Sequence, residues 1–291
     1  MMSAVRRIRH RLGPFLGPSY RAARDVVDQL LARYYYSRHY GWRQPILAVI
    51  GPARSGTQLV AHLLAGVPGY RFRWPYDPDR CGDNHDLCEP MFSTLPSSGY
   101  SVLKLHTKPT PANLALLDKY GVRAVVIYRD LRDESVSRYF AVLYDPRHRH
   151  HQYYHHVPKD MGIAHSIDVT LGEAIPWIRG WQPIVAKRPD RFHEVRFEAL
   201  RPDPRPAFAR IAGFYGFRLS ASQVDRIVNR LAVRTRFDLQ ANFRDGRPTV
   251  RKGVVGDWRN HFTAEHVRQV KQGGGEFLIE LGYERDLEWR L

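Results

Sequence analysis

Residues 46–60, ILAVIGPARSGTQLV, hold the first side chains whose order suggests chemistry. An apolar run, Ile46–Ile50, breaks at Gly51-Pro52, and an apolar helical pattern opens after Thr57. Strand, glycine loop and helix in that order aim successive N–H groups and the helix's positive end at one anion. Gly51 and Gly56 have P-loop spacing, yet Thr57-Gln58 stand where a nucleoside triphosphatase needs Lys-Ser/Thr. The lysine for the β/γ-phosphates and the Mg²⁺-binding hydroxyl are both missing, and a cation stands one step earlier, at Arg54. The loop suits an anionic nucleotide and lacks the equipment of an ATP hydrolase.

Two further stretches offer anion ligands. In VVIYRDLRDESVSRYF, Arg129 ends a strand-like run and Ser137 falls in the following helical pattern. A guanidinium and a hydroxyl at one sheet edge fit a phosphomonoester; alone, Arg-Asp at a strand end is commonly a local ion pair. In TVRKGVVGDWRNHFT, Arg251, Lys252 and Gly253 sit among glycines, a basic clamp for an anion or a merely solvated loop.

The elements that must position these groups are short. Strand-type runs occur at Ile46–Ile50, Ser101–Leu105, Arg123–Tyr128 and His193–Phe197. Helical patterns lie between and after them at Gln58–Leu64, Ala112–Tyr120, Glu134–Leu143 and Leu171–Arg188. This alternation predicts one α/β domain, with a central, mostly parallel sheet flanked by helices and ligands beyond the C-terminal strand ends. Gly69–Gly99 reads as a long irregular loop, and Asp145–Ser166, with its His/Tyr-rich 147–156, as an exposed one. Beyond Phe208 the chain reads as helical to Leu231, with a last helix from Glu265.

The chain's 45 Lys and Arg exceed its 29 Asp and Glu, a net charge of +16 that predicts anionic partners. Two cysteines imply no disulfide framework, and a reducing compartment is the default. Cys81, His85 and Cys88 have partial metal spacing but fall short of four ligands, so the reading is no metal and two thiols. The N-terminus is basic without a sustained apolar stretch, which argues against a secretory signal. Residues 20–36 form a basic amphipathic pattern, suited to a membrane surface or, in the preferred reading, to the domain's own face. The organisation expected is a basic helical extension over 1–44 and one domain over 45–291, cytoplasmic, with membrane association through the extension left open.

Taken together, GPARSGT, YRDLRDESVSRYF and RKGVVGDWRNHFT follow an order that resembles the PAPS-dependent sulfotransferases of the cytosolic type, from about Pro45 to about Thr263. The resemblance implies a P-loop-like phosphosulfate loop formed by Arg54, Ser55, Gly56, Thr57 and Gln58. It implies 3′-phosphate ligands at Arg129 and Ser137, completed by Arg251, Lys252 and Gly253. It places Phe197, Thr235 and Phe237 around the adenosine. The segment VLKLHTKP matches the strand end that carries the family's active-site lysine and catalytic histidine, here Lys104 and His106. PAPS is then the co-substrate, no metal takes part, and the partner is a hydroxyl-bearing acceptor: carbohydrate, lipid, or small alcohol or phenol. The chemistry is consistent with that: a histidine base for the acceptor proton, and positive charge from Lys104 and Arg54 on the sulfuryl and bridging oxygens.

The chain departs from the family pattern in four places. Arg54 replaces the loop lysine and, holding its proton, supplies charge only; the pH–rate profile is then expected to have one ascending limb. Leu131 stands for a proline, and Leu59 for a tryptophan near the adenine. The family's short dimerisation motif appears as Arg259, Thr263, Ala264 and Arg268, with its terminal charge reversed, so the oligomeric state stays open. The competing readings are a P-loop nucleotide kinase-like phosphotransferase and a basic nucleic-acid-binding protein. The first lacks its lysine, and the second explains the charge but not three ordered loops.

Overall fold

The computed structural model describes residues 42–73, 86–95, 100–146, 148–231 and 253–291. The 1–44 extension (apart from its last three residues), Cys81, His85, Thr235, Phe237, Arg251 and Lys252 lie outside them. Five strands form one sheet: β1 (Ile46–Ile50), β2 (Tyr70–Arg73), β3 (Tyr100–Leu105), β4 (Arg123–Tyr128) and β5 (Phe192–Arg196). Their order is β2-β3-β1-β4-β5, and all four pairings are parallel. Central strands of such a sheet are covered on both sides, so both of their faces must be apolar. In β1, Leu47, Ala48, Val49 and Ile50 are all fully buried, alternating between two separate cores.

One core lies under α1 (Thr57–Leu64) and α7 (Arg205–Phe214), with Val60, Leu63, Phe208 and Ile211. The other lies under α3 (Pro111–Lys119), α4 (Leu131–Leu143), α6 (Lys159–Lys187) and α9 (Ala264–Glu280), with Leu131, Trp177, Trp181 and Phe277. The chain leaves β1 toward one sheet edge and leaves β3 toward the other. Right-handed crossovers therefore put α1 and α3 on opposite faces. That reversal at β1 opens the crevice where parallel α/β sheets hold ligands.

Four expectations change. Tyr70–Arg73, YRFR, is an edge strand inside the stretch read as irregular; its ladder comes from β3, and only Tyr70 is buried, so no apolar run announces it. The His/Tyr-rich segment is helical: α5 spans His151–His156 and α6 begins at Lys159. Close packing explains this, since a Cβ at Gly162 would lie 2.6 Å from the Tyr139 ring, Ser166 Oγ donates to the Ser135 carbonyl (2.8 Å), and Ile163 and Ile167 are fully buried. The helix after Phe208 ends at Phe214, turns at Gly216 with φ 77°, and a further helix, α8, covers 221–231. Cys88 is disulfide-bonded, which corrects the two-thiol reading and removes cysteine usage as support for a reducing compartment. Among the described residues no helix is long and apolar enough to cross a membrane.

Candidate active site

The loop after β1 has the backbone an anion site requires. Arg54 has φ 73°, and Gly56 at φ 101° caps α1 without any side-chain hydrogen bond. The first turn of a helix leaves N–H groups free for an anion, and in α1 these precede Leu59, whose N–H donates to the Gly56 carbonyl at 3.0 Å. Ser55 Oγ instead donates to the Pro52 carbonyl (2.8 Å) and braces the turn from within. A Cβ at Gly56 would lie 2.5 Å from Phe197. Gly56→Ala should therefore destabilise the fold by ~1–3 kcal/mol, from the left-handed backbone and the clash together. Thermal unfolding checks this, and a melting temperature equal to wild type would contradict it.

Distant segments meet over this loop. Arg54 Nε donates to Ser137 Oγ at 3.2 Å, joining the loop to α4. Arg129, buried at the end of β4, lies over the Phe197 ring at 4.4 Å and donates Nη2 to the Val254 carbonyl at 2.7 Å. It also pairs with Asp133 at 3.3 Å. Asp133 in turn accepts from the N–H groups of Gly256 (2.8 Å) and Trp258 (3.0 Å). Thus Arg129 and Asp133 fasten the C-terminal loop, in which Gly253 has φ 62°, to the second motif. Phe197, also beside Arg201 at 5.5 Å, packs the first loop against this ion pair.

His106 follows β3, whose register sets Lys104 beside Val49 and Leu105 beside Ile50. Its Nδ1 lies 2.6 Å from the Gly51 carbonyl. A carbonyl only accepts, so Nδ1 carries the proton and Nε2 is the basic nitrogen of the neutral ring. Trp177 and Trp181 hold the strand end, their indole N–H groups donating to the Thr107 carbonyl at 3.0 and 3.1 Å. Lys104 is half-buried, and burial first, then the Arg54 charge, push its ammonium down to about 8. Lys104 and Arg54 thus lie close enough for their charges to interact, beside the loop that His106 holds at Gly51.

The described residues therefore bring together Arg54, Ser55, Gly56, Thr57, Gln58, Lys104, His106, Arg129, Ser137, Phe197 and the loop at Gly253-Val254. Asp133 was missed, although an acid one turn after Arg129 is a readable helix pair. Trp177 and Trp181 left no sequence signal toward His106, because the contact is purely tertiary. In the dimer-like motif, Thr263 caps α9 in a capping box with His266, and Arg268 pairs with Glu265, so both are used within the chain. Among the described residues no three His, Cys, Asp or Glu side chains gather as a metal site.

The chain resembles known proteins in sequence and in fold. It is 26% identical over 207 residues to cytosolic sulfotransferase 17 of Arabidopsis thaliana, covering 62% of this chain and 56% of that one. It is 25% identical over 177 residues to 3-beta-hydroxysteroid sulfotransferase of Cavia porcellus, covering 57% and 60%. The matches span about half to three fifths of the length of these curated relatives. The fold matches mouse sulfotransferase SULT7A1 complexed with PAP, with TM-score 0.63 and 16% identity over 89% of this chain and 91% of that one. It also matches retinol dehydratase in complex with androsterone and the inactive cofactor PAP, with TM-score 0.59 and 20% identity over 89% and 88%. A sulfotransferase domain model matches residues 44–278, most of the chain and all five strands, and the chain accordingly belongs to the sulfotransferase family.

Proposed function

We propose that the protein transfers the sulfuryl group of PAPS to a hydroxyl acceptor, with His106 as general base. The observation that carries this reading is the closure of three distant segments on one pocket: Arg54 on Ser137, Arg129 on Val254, and His106 on Gly51. Family membership favours neither a kinase-like phosphotransferase nor a nucleic-acid-binding protein. Arg54–Gln58 and the N-terminus of α1 take the 5′-phosphosulfate. Arg129, whose buried Nε has no hydrogen-bond partner among the described residues, takes the 3′-phosphate with Ser137 and the Arg251–Gly253 loop. Phe197, Thr235 and Phe237 line the adenosine side.

PAPS supplies an activated sulfuryl group on an acidic leaving phosphate. His106 Nε2 removes the acceptor's hydroxyl proton as the new S–O bond forms and the bond to the bridging oxygen breaks. Lys104 and Arg54 hold positive charge against the sulfuryl and bridging oxygens. With its ammonium pushed down to about 8, Lys104 is charged at neutral pH and can also give a proton to the departing PAP. Arg54 cannot, since a guanidinium keeps its proton.

The acceptor is a carbohydrate, a lipid, or a small alcohol or phenol. Two neighbouring folds hold androsterone and retinol, which supports an apolar alcohol among these. The curated relatives called cytosolic support a cytoplasmic site of action.

Thermal shift with PAP and ADP tests the nucleotide assignment. PAP at 100 times its Kd should stabilise the protein by about 2.7 kcal/mol through binding the native state alone. ADP lacks the 3′-phosphate and leaves Arg129 and Ser137 without a ligand. It should bind at least ~10-fold more weakly, since one charged hydrogen bond is worth ~1.5–3 kcal/mol. Equal shifts from the two nucleotides would remove the 3′-phosphate assignment.

A further inference from the structure

Among the described residues, Glu134 is an ionisable side chain close to this pocket to which the reaction gives no task. It lies in α4 between Asp133 and Ser137, is fully buried, and has no hydrogen-bond partner among the described residues on either carboxyl oxygen. The charged groups facing it are Arg138 from α4, Arg129 from the end of β4, Arg54 from the first loop and Glu173 from α6. Each guanidinium donates elsewhere: Arg138 to Glu173, Arg129 to Val254 and Asp133, Arg54 to Ser137. A carboxylate without hydrogen bonds in a dry site is costly, so the neutral acid is the form such a place favours. Burial outweighs the arginines and pushes the Glu134 carboxyl up to about 8.

We propose that Glu134 is a proton-carrying positioning residue of the nucleotide site: the nucleotide binds beside its neutral acid form, and an ionised Glu134 takes one proton from solvent as the nucleotide enters. This rests on the nucleotide reading given above. Ser137 is one turn on from Glu134 along α4, so a phosphate at Arg129 and Ser137 lies within the reach of the carboxyl's charge. Ionised, Glu134 repels that phosphate and competes with it for Arg54 and Arg129. Protonated, it leaves both guanidiniums to the ligand. Glu134's effect on PAP affinity is then absent below pH ~7 and lowers it by up to ~10-fold per pH unit above about 8.

Lys104 titrates in the same range with the same sign, since an ammonium that loses its proton loses its hold on an anion. Lys104→Arg removes that second titration and keeps the charge. Calorimetry of PAP binding in buffers of different ionisation enthalpy then counts the protons. The K104R protein should take up about three quarters of a proton per PAP more than K104R/E134Q at pH 8.5, and almost the same number at pH 6.5. K104R/E134Q is the reference, and its Kd should lack the fall in affinity above pH 8. If K104R binds PAP too weakly to measure, wild type should exceed E134Q by about three quarters of a proton at pH 8.5. Equal proton counts with and without Glu134 overturn the proposal while leaving the nucleotide reading intact. Absence of PAP binding to wild type at every pH removes both.

Stability gives an independent readout. An acid raised in the folded state contributes stability that is full below the ordinary carboxylate range and is lost as pH rises through about 8. Glutamine mimics the neutral acid and escapes that loss, so the melting temperature of E134Q relative to wild type should rise from pH 5 to pH 8. A variant whose deficit grows over that interval would also overturn the proposal.

Discussion

His106→Ala should lower turnover by ~10²–10⁴-fold, the scale of a positioned general base, with PAP affinity nearly unchanged. The imidazole's hydrogen bond to Gly51 fixes which nitrogen is basic but ties it to the loop backbone rather than to a phosphate ligand. Removing it therefore takes away proton transfer more than nucleotide binding. Turnover at saturating PAPS, alongside PAP titration, separates the two. Loss of PAP binding in step with turnover would reassign His106 to positioning the loop. The wild-type pH–rate profile should rise as the imidazole loses its proton and fall again near pH 8 as Lys104 loses its own. The sequence led to a single ascending limb because Arg54 does not titrate. Burial of Lys104 beside Arg54 supplies the second limb. In Lys104→Arg at saturating PAPS, where nucleotide affinity no longer enters the rate, the fall near pH 8 should disappear, at a lower rate.

Arg129→Ala should have the opposite phenotype, weakening PAP by ~1.5–3 kcal/mol, roughly 10- to 150-fold, while most of the turnover survives at saturating PAPS. Its melting temperature should fall as well. Asp133 would lose its ion pair while still buried, and the Val254 carbonyl would lose its donor. Arg129→Lys should recover charge but not the paired geometry of the guanidinium, leaving affinity between the two. If the alanine variant binds PAP like wild type, the 3′-phosphate lies elsewhere.

Much of the frame was legible because parallel strands buried on both faces must read as continuous apolar runs. Four of the five strands fall within one residue of the expected bounds, from Ile46–Ile50 to Phe192–Arg196. The fifth, Tyr70–Arg73, was hidden because an edge strand draws its hydrogen bonds from a neighbour and needs few apolar side chains. The helices at His151–His156 and the start of Lys159–Lys187 were hidden by composition. Their stability comes from packing on α4 at Gly162, Ile163 and Ile167, which propensity does not register.

At the site the division is just as physical. The sequence by itself determined the loop between Gly51 and Gly56, the order of the three basic motifs, and the placing of Lys104 and His106 on one strand end. Each depends on local spacing, on backbone freedom at glycine, or on the alternation of a strand. Only the tertiary structure decided the protonated nitrogen of His106, the lowered Lys104, the clasp of Asp133 on Gly256 and Trp258, and the burial of Glu134 among Arg54, Arg129 and Arg138. A pKa depends on solvent exclusion and on charges brought close by folding, and a hydrogen bond on a partner distant in the chain. Neither quantity exists until the sheet has closed.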